Sequence, residues 1–396
     1  MLNALHKIEL FRSVSGFTLN LGKTTGVFYD KEGFVQRSAL PNITWETNME
    51  ILGIKFGSPQ WVNDQWDSKF LELKKDIGFF KTKNPTLDAK SMLSKFKLCS
   101  IFTYIAQVFP MPQLLEDKIN DVLISFVVPH KHTFLSTLDF SLPRKYGGYG
   151  ISNIVLHLNL CLLKPVMLYM QERTIHMNQD LSKPMFFVEY NLGQRLSNYF
   201  DLPQNNSTVH RFVPNEYYSK MFDTIVKYNI TREELVDGKV GQIYKRVLYD
   251  IGSSRNFCPD YNRIHKQIFP SYLRSFNYKV HFDLLPVKSK FYEFCLDSEN
   301  RITCPFCNIN LESTFHLFAK CSKLSSLWEI LDETTNVCFG GQCKFSFKKQ
   351  RFQMCNFSLV DCKYQKYYEN LILYINSVVN HNIWKMRNKI FHENEV

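Results

Sequence analysis

The sequence predicts a mainly α-helical protein with a small β part near its N-terminus. Short strand-like runs separated by Gly, Asp and Asn turn signals occupy only residues 16 to 56, and from Trp61 onward apolar residues recur at helical spacing. Pro and Gly stops fall where those helices should end. Taken in order, a short helix from Leu5 to Phe11 precedes strands at Phe17-Thr18-Leu19, Gly26-Val27-Phe28-Tyr29 and Ile51-Leu52-Gly53-Ile54-Lys55-Phe56. After Ser58-Pro59, Trp61, Trp66, Phe70, Leu73 and Ile77 mark one face of a helix. Thr86 with Asp88 opens a second helix running to the Phe109-Pro110-Met111-Pro112 stop, and Leu114 to Val128 makes a third. Three consecutive helices of this kind suggest a small bundle.

The stretch Leu142-Pro143-Arg144-Lys145-Tyr146-Gly147-Gly148-Tyr149-Gly150 reads as a loop whose glycines suit positive φ or close backbone approach. A Gly-rich loop alone, without a preceding strand and a helix-opening Gly-Lys-Ser/Thr, is a weak phosphate-binding signal. Asn153 to Gln171 follows as a helix kinked at Pro165, which removes a backbone donor. Tyr190 to Asn215 is polar and turn-rich, the best linker in the chain. Thr231-Arg232-Glu233-Glu234 has the form of an N-cap with an acidic first turn, and Val240 to Tyr249 is helical. The tail, Tyr364 to Phe391, alternates aromatic, aliphatic and basic residues on a long helical pattern.

The 396 residues hold 48 Lys+Arg against 37 Asp+Glu, a formal net charge of +11, which excludes an acidic solvating protein. With 45% hydrophobic and 15% aromatic residues the chain can build packed cores and lacks the bias of disordered or fibrous sequences. The longest apolar stretch, Ile151 to Met170, is interrupted by Asn153, His157, Asn159 and Lys164, and so reads as a buried helix and not as a membrane span. Met1 to Arg12 has no apolar h-region with a small-residue cleavage site. The expectation is an intracellular, reducing location, nuclear or cytoplasmic, with no membrane partner and no small-molecule substrate. Eleven cysteines are then free thiols or metal ligands, and Cys99, Cys161, Cys258 and Cys295 read as small buried hydrophobes.

Cys304-Pro305-Phe306-Cys307, followed by His316 and Cys321, is a CCHC set with short, separable spacings. Two thiolates on a tight turn can bind one face of a tetrahedral Zn²⁺, and an imidazole and a third thiolate from a following helix can close the other. Ser313 or Thr314 can cap that helix. On a regular helix a residue five positions on is rotated by about 140°, so Cys321 must lie at or past the last turn to reach an ion held by His316. Four protein ligands leave no open position, which makes the zinc structural and not hydrolytic. Cys338 and Cys343 have no evident partner pair.

Met1 to Gly150 holds 18 Lys+Arg against 14 Asp+Glu and Ile151 to Val396 holds 30 against 23; beside these two parts Gly341 to Val396, with nine against four, carries the densest basic excess. Trp384, Lys385, Arg387 and Lys389 in that tail, with Lys145 in the glycine loop, are the candidate nucleic-acid contacts; the aromatics Tyr364, Tyr367, Tyr368 and Trp384 serve either as core or as stacking platforms.

In order along the chain these features resemble the downstream part of a non-LTR (LINE-type) retrotransposon reverse transcriptase. Ser15-Gly16-Phe17-Thr18-Leu19-Asn20-Leu21-Gly22-Lys23-Thr24 is similar to the palm segment S-G-L-x-x-N-x-x-K-T, and Ile51-Leu52-Gly53-Ile54 to the primer-grip hairpin, with Leu52 and Gly53 at its centre. The helices from Trp61 to Val128 resemble the thumb, Leu142-Pro143 with Gly147-Gly148-Tyr149-Gly150 the L-P-x-x-x-G-G-x-G signature, the CCHC set the zinc-binding region, and Trp384-Lys385-Met386-Arg387-Asn388-Lys389 the terminal W-x-x-R-N-x helix.

The resemblance implies five segments: 1–58 as the end of the palm, 59–130 as the thumb, 131–255 as a helical connector with the glycine loop, 256–335 as the zinc-binding domain, and 336–396 as a basic aromatic tail. It implies binding of RNA and RNA-DNA duplex, largely through the backbone. It also implies two-metal polymerisation, which needs clustered carboxylates to hold Mg²⁺. This sequence contains no Asp-Asp pair, so the Mg²⁺ site is absent and Lys23 remains as a vestigial palm lysine. By alignment the aspartate turn would stand upstream of Met1, as in a 5′-truncated or separately predicted piece. Asp30 and Asp64 sit at a turn and near a helix head, where solvated or capping roles are commoner than catalytic ones. The expected function is therefore non-specific nucleic-acid binding without polymerisation; the alternatives are a host-retained zinc-containing RNA-binding module and a structural scaffold.

Overall fold

The computed structural model describes residues 2–17, 20, 24–30, 33–35, 44–128, 135–175, 216–254, 261, 264–290, 302–338 and 365–393. These residues are mostly helical with two small sheets, in keeping with the mainly α expectation. Helix α1 (Leu2–Ser15) ends at Gly16, whose φ of 73° makes the left-handed cap that glycine adopts without strain. Strand β1 (Thr25–Asp30) pairs antiparallel with β2 (Gly33–Val35) and parallel with β3 (Thr44–Glu46). Phe17 lies in no strand, and Thr18, Leu19 and Lys23 fall outside the described residues, as do the linker 190–215 and Cys258, Cys295, Cys343 and Tyr364.

The run from Ile51 to Phe56, a single strand by its apolar pattern and a hairpin centred on Leu52 and Gly53 by the resemblance, is a hairpin of β4 (Met49–Ile51) and β5 (Ile54–Phe56). Leu52 and Gly53 form its two-residue turn, both at positive φ (51° and 79°), as a primed turn requires. The bundle grips the hairpin through its turn. The Gln65 side-chain amide donates to the Gly53 carbonyl at 2.9 Å, and the Tyr104 hydroxyl donates to the Leu52 carbonyl at 2.9 Å.

Ser58 caps α2 (Pro59–Thr82), accepting from the Trp61 amide, with Pro59 at the first helical position where its missing N–H costs nothing. The second predicted helix is segmented. Thr86 caps α3 (Leu87–Leu93), a π turn follows at Ser94–Leu98, then α4 (Ser100–Thr103) and a 3₁₀ turn at Ile105–Gln107. Ser94 accounts for the change of pitch: its buried hydroxyl donates back to the Ser91 carbonyl at 2.9 Å and accepts from the Ser152 amide at 3.0 Å. A serine side chain competing for the backbone in this way disturbs regular helix.

Helix α5 (Gln113–Val127) matches its prediction to within a residue at each end, and α6 (Thr137–Ser141) carries a capping box from Ser136 and Asp139. The kinked helix expected from Asn153 is two helices, α7 (Ile154–Cys161) and α8 (Lys164–Ile175), because Pro165 is accommodated in a new first turn instead of within a continuous one. Then come α9 (Glu216–Lys227), α10 (Arg232–Val236, with the predicted Thr231 cap and Glu234 capping box), α11 (Val240–Ser253), α12 (Ser271–His281), α13 (Ser325–Cys338) and α14 (Gln365–Glu393).

One hydrophobic core runs from Ile54 through Trp66, Phe102, Leu123 and Leu160 to Leu248. A boundary at 130/131 therefore passes through the middle of one packed unit, and the β4–β5 hairpin belongs to it as well. A second core gathers Phe276, Leu317, Phe318, Trp328, Ile372 and Ile383 around Cys304, Cys307 and Cys321. A third, with Phe140, Tyr149, Tyr278 and Leu284, lies where α12 meets α3 and the glycine loop. Asp88 on α3 fixes that joint, accepting from Arg274 of α12 at 2.6 Å and from Arg144 at 2.9 Å.

Among the described residues no helix is long and apolar enough to cross a membrane.

Candidate metal centre

The site is built on two short elements. A bridge between Thr303 and Leu311, closed by the Cys304 amide on the Asn310 carbonyl at 2.8 Å, folds residues 302–312 into a knuckle. Its tip turns through Asn308 at φ 53°, a left-handed position that asparagine tolerates. This turn holds Cys304 and Cys307 on one side. The Ser313 hydroxyl then accepts from the His316 amide at 3.0 Å, the capping role allotted to Ser313 or Thr314, and residues His316–Lys320 form a single π turn.

That π turn resolves the geometric problem of a five-residue spacing. A regular helix would rotate Cys321 about 140° away from His316. Here the Cys321 amide donates to the His316 carbonyl at 2.8 Å, an i→i+5 closure, and Cys321 itself leaves the helix in extended conformation. Cys321 thus lies just past the last turn, where it must be to share an ion with His316.

The ligand atoms of Cys304, Cys307, His316 and Cys321 all lie within 4.8 Å of one another, and all four residues are buried. Zn–S and Zn–N bonds of about 2.3 and 2.0–2.1 Å at tetrahedral angles place two sulfurs about 3.8 Å apart and a sulfur and nitrogen about 3.6 Å apart. The Cys304 and Cys321 sulfurs are 3.9 Å apart, and the Cys307 sulfur is 3.4 Å from His316 Nε2. The group can therefore hold one tetrahedral metal ion, compatible with structural zinc. It is the only such cluster among the described residues. Burial pushes the Cys304 thiol up to about 12 and the His316 imidazole below its ordinary value. The lowered value favours the neutral imidazole, and a cation entering the site would displace the proton that Cys304 holds.

Around the centre, Trp328, Leu317 and Phe318 are fully buried, and Phe276 of α12 meets Phe318 edge-on with centroids 6.0 Å apart. Glu312, four residues before His316, is also fully buried. Its carboxylate accepts from Arg387 Nε at 2.6 Å and Nη2 at 2.9 Å, and from the Lys288 amide at 3.0 Å.

This pair corrects one expectation for the tail. Arg387 is 5% exposed and committed to Glu312, so it does not present its guanidinium to a nucleic acid. Trp384 is half-buried against the second core, with the Arg387 guanidinium 5.0 Å from its ring. Lys385 and Lys389 are exposed on α14. Lys145 is exposed, but its ammonium lies 3.9 Å from the Tyr249 ring and 4.7 Å from that of Tyr146. The glycine loop folds on itself: Gly147 and Gly150 have φ of 85° and 74°, and a Cβ on Gly148 would collide with the Leu142 carbonyl. Its Tyr149 is fully buried between Tyr278 and His265, which makes the loop a joint between the bundle and the elements around α12. Asp64 is exposed, accepts from the Gln60 side chain and belongs to no metal-holding cluster among the described residues, and Asp30 is the last residue of β1.

The bundle also carries a basic face that the charge balance of the long segments conceals. Positions 74 to 97 hold seven lysines and two aspartates. Six of those lysines, Lys74, Lys75, Lys81, Lys83, Lys95 and Lys97, are exposed along α2 and the π turn that follows α3. The ion pair of Lys97 with Asp76 at 3.3 Å ties the two segments together. Phe79 and Phe96, 59% and 69% exposed, stand among the lysines. Charge summed over the whole N-terminal 150 residues dilutes this segment; a shorter window shows it.

No protein-family model matches the chain, and no curated protein matches its sequence.

Proposed function

We propose that the chain is the thumb and zinc-bearing part of a non-LTR retrotransposon reverse transcriptase, and that it binds RNA or RNA-DNA duplex through the backbone without polymerising. The observation that supports this reading is the lysine face on α2 and the π turn, with Phe79 and Phe96 exposed among the cations. Lysines along a helix neutralise phosphates whatever the base sequence, and exposed aromatic rings can stack on bases or sugars. The sequence holds no Asp-Asp pair of the kind the resemblance would place at a two-metal site, so the proposal includes no polymerisation. The metal centre is structural in this account.

The test is binding of the whole chain to an RNA-DNA hybrid across a salt series. Log affinity should fall linearly with log salt, by roughly 0.9 per phosphate neutralised on a duplex. Replacing Lys81, Lys83, Lys95 and Lys97 by Gln should make the slope shallower by roughly 0.9 for each of these lysines that meets a phosphate in the wild-type complex. Primer extension should give no product. A flat salt response, or incorporation by this chain alone, would contradict the reading. The withdrawal of Arg387 into the core and the engagement of Lys145 by two tyrosines favour the alternative, a zinc-stapled scaffold or host-retained module. As a scaffold the chain would show no salt-dependent retention on RNA.

A further inference from the structure

We infer that Glu312 and Arg387 form a metal-dependent latch, through which occupancy of the Cys304–Cys307–His316–Cys321 centre controls the docking of the C-terminal half of α14. The inference rests on the metal reading of that centre and goes beyond it, because a closed zinc site need only staple its own knuckle.

Three observations carry it. Glu312 is 0% exposed and Arg387 5% exposed, and the two-point contact between them spans 75 positions of sequence. Among the described residues it is the most deeply buried ion pair between the zinc region and any other element. A pair out of water in this way is held only while its geometry is held, since separating the charges leaves each buried and uncompensated.

The knuckle supplies that geometry. The Glu312 amide donates to the Ile302 carbonyl at 2.9 Å, and its carbonyl accepts from the Ser289 amide at 3.1 Å. Glu312 therefore lies between the Thr303–Leu311 bridge and the turn that carries His316. The metal pins both sides of it, Cys304 and Cys307 before, His316 and Cys321 after.

On the other side the guanidinium is held in a slot. Its centre lies 5.0 Å from the Trp384 ring and 4.6 Å from the Phe391 ring, and Arg387 Nη1 donates to Asn388 Oδ1 at 3.1 Å. Trp384, Arg387, Asn388 and Phe391 thus form one assembly on the last two turns of α14, organised around a carboxylate that only the folded knuckle presents. The first half of α14 has a further tie away from the metal centre, Ser377, which accepts from Asn277 of α12 at 3.0 Å, beside Ile372 and Leu373 in the second core. Release of the metal should therefore free residues near 384–391 while residues near 370–377 stay in place.

Coupling of this kind is reciprocal: whatever factor the metal contributes to helix docking, the latch contributes to metal affinity. Coupling between two distinct sites typically amounts to about 5- to 150-fold, and the latch should fall inside that range, at about 10- to 100-fold.

The experiment uses the full chain loaded with zinc. Amide hydrogen exchange is followed at 384–391, at 370–377 and in α2, before and after removal of zinc by a chelator. Zinc affinity is measured by competition with a chromophoric chelator for wild type and for Arg387→Gln. The expected result is exchange at 384–391 faster by about 10- to 100-fold on zinc removal. Little change is expected in α2, and Arg387→Gln should still bind one zinc but more weakly by a similar factor. If zinc binds stoichiometrically but its removal leaves 384–391 as protected as before, the latch is refuted and the metal site stands. If no zinc binds, both are refuted. Should Arg387→Gln fail to fold, chelation of the wild-type chain alone decides between these outcomes.

Discussion

Lys90 provides a quantitative test of how the bundle is packed. It projects from α3 into the interior, 7% exposed, with its amine donating to the Val127 carbonyl at 3.2 Å and lying 5.3 Å from the Phe126 ring. Burial, together with the like charges of Lys279 and Lys81, lowers its pKa from 10.5 to about 7. A base whose folded pKa is depressed binds fewer protons folded than unfolded between the two values. Stability should therefore rise with pH from about 7 to about 10.5, and the penalty is fully present below pH 7. At 1.36 kcal/mol per pH unit the contribution recovered between pH 7 and pH 9.5 is about 3 kcal/mol. Lys90→Met keeps the apolar stem and removes the titration, at a cost of roughly 1–3 kcal/mol for the Val127 carbonyl left unsatisfied. The variant should be more stable than wild type at pH 7, and the advantage should shrink by about 3 kcal/mol by pH 9.5. Urea unfolding followed by circular dichroism at fixed ionic strength and saturating zinc measures both. A difference between variant and wild type that stays constant to within about 0.5 kcal/mol over that range would refute the buried placement of the amine.

Particular contacts set three further outcomes. Gly148→Ala drives a methyl into the Leu142 carbonyl, and because that neighbour is backbone the loop must move; a loss of about 1–3 kcal/mol should appear as a lower melting temperature. Asp88→Ala strands the Arg274 and Arg144 guanidinium groups, both partly exposed, and should cost about 2 kcal/mol while speeding hydrogen exchange in α12 more than in α7. Limited proteolysis should cut N-terminal to residue 47 before it touches the β4–β5 hairpin, because Ile54 is the first residue of the main core and Gln65 and Tyr104 hold the hairpin turn. Early cleavage between 49 and 56 would show that this anchoring is not formed.

Local chemistry is legible in the sequence, and long-range pairing is not. The CCHC set can be read directly because a tetrahedral metal site needs its ligands at short spacings, here within 18 residues, and helix rotation alone places Cys321 beyond its turn. The device that achieves this, a π turn instead of a simple helix end, lies in one backbone hydrogen bond that composition does not encode. Helices α2 and α5 are visible because a cap or stop and a steady apolar period coincide there. The segment from 87 to 107 reads as one helix because the period persists while Ser94 diverts the backbone to Ser152, far along the chain. Arg387 looks like a surface cation in a basic tail. Nothing within reach in sequence marks Glu312 as its partner, yet that carboxylate settles its environment. The lysine face of α2 and the π turn is hidden for the opposite reason, diluted by averaging over too long a window.

The most direct test of the central claim, that Cys304, Cys307, His316 and Cys321 form a closed structural zinc site, is metal analysis with zinc-edge X-ray absorption on the purified chain. The account predicts one zinc per chain with three sulfurs at about 2.3 Å and one nitrogen at about 2.0–2.1 Å, lost in Cys304→Ser. Protein without stoichiometric zinc, or zinc with an oxygen from water in its first shell, would contradict it.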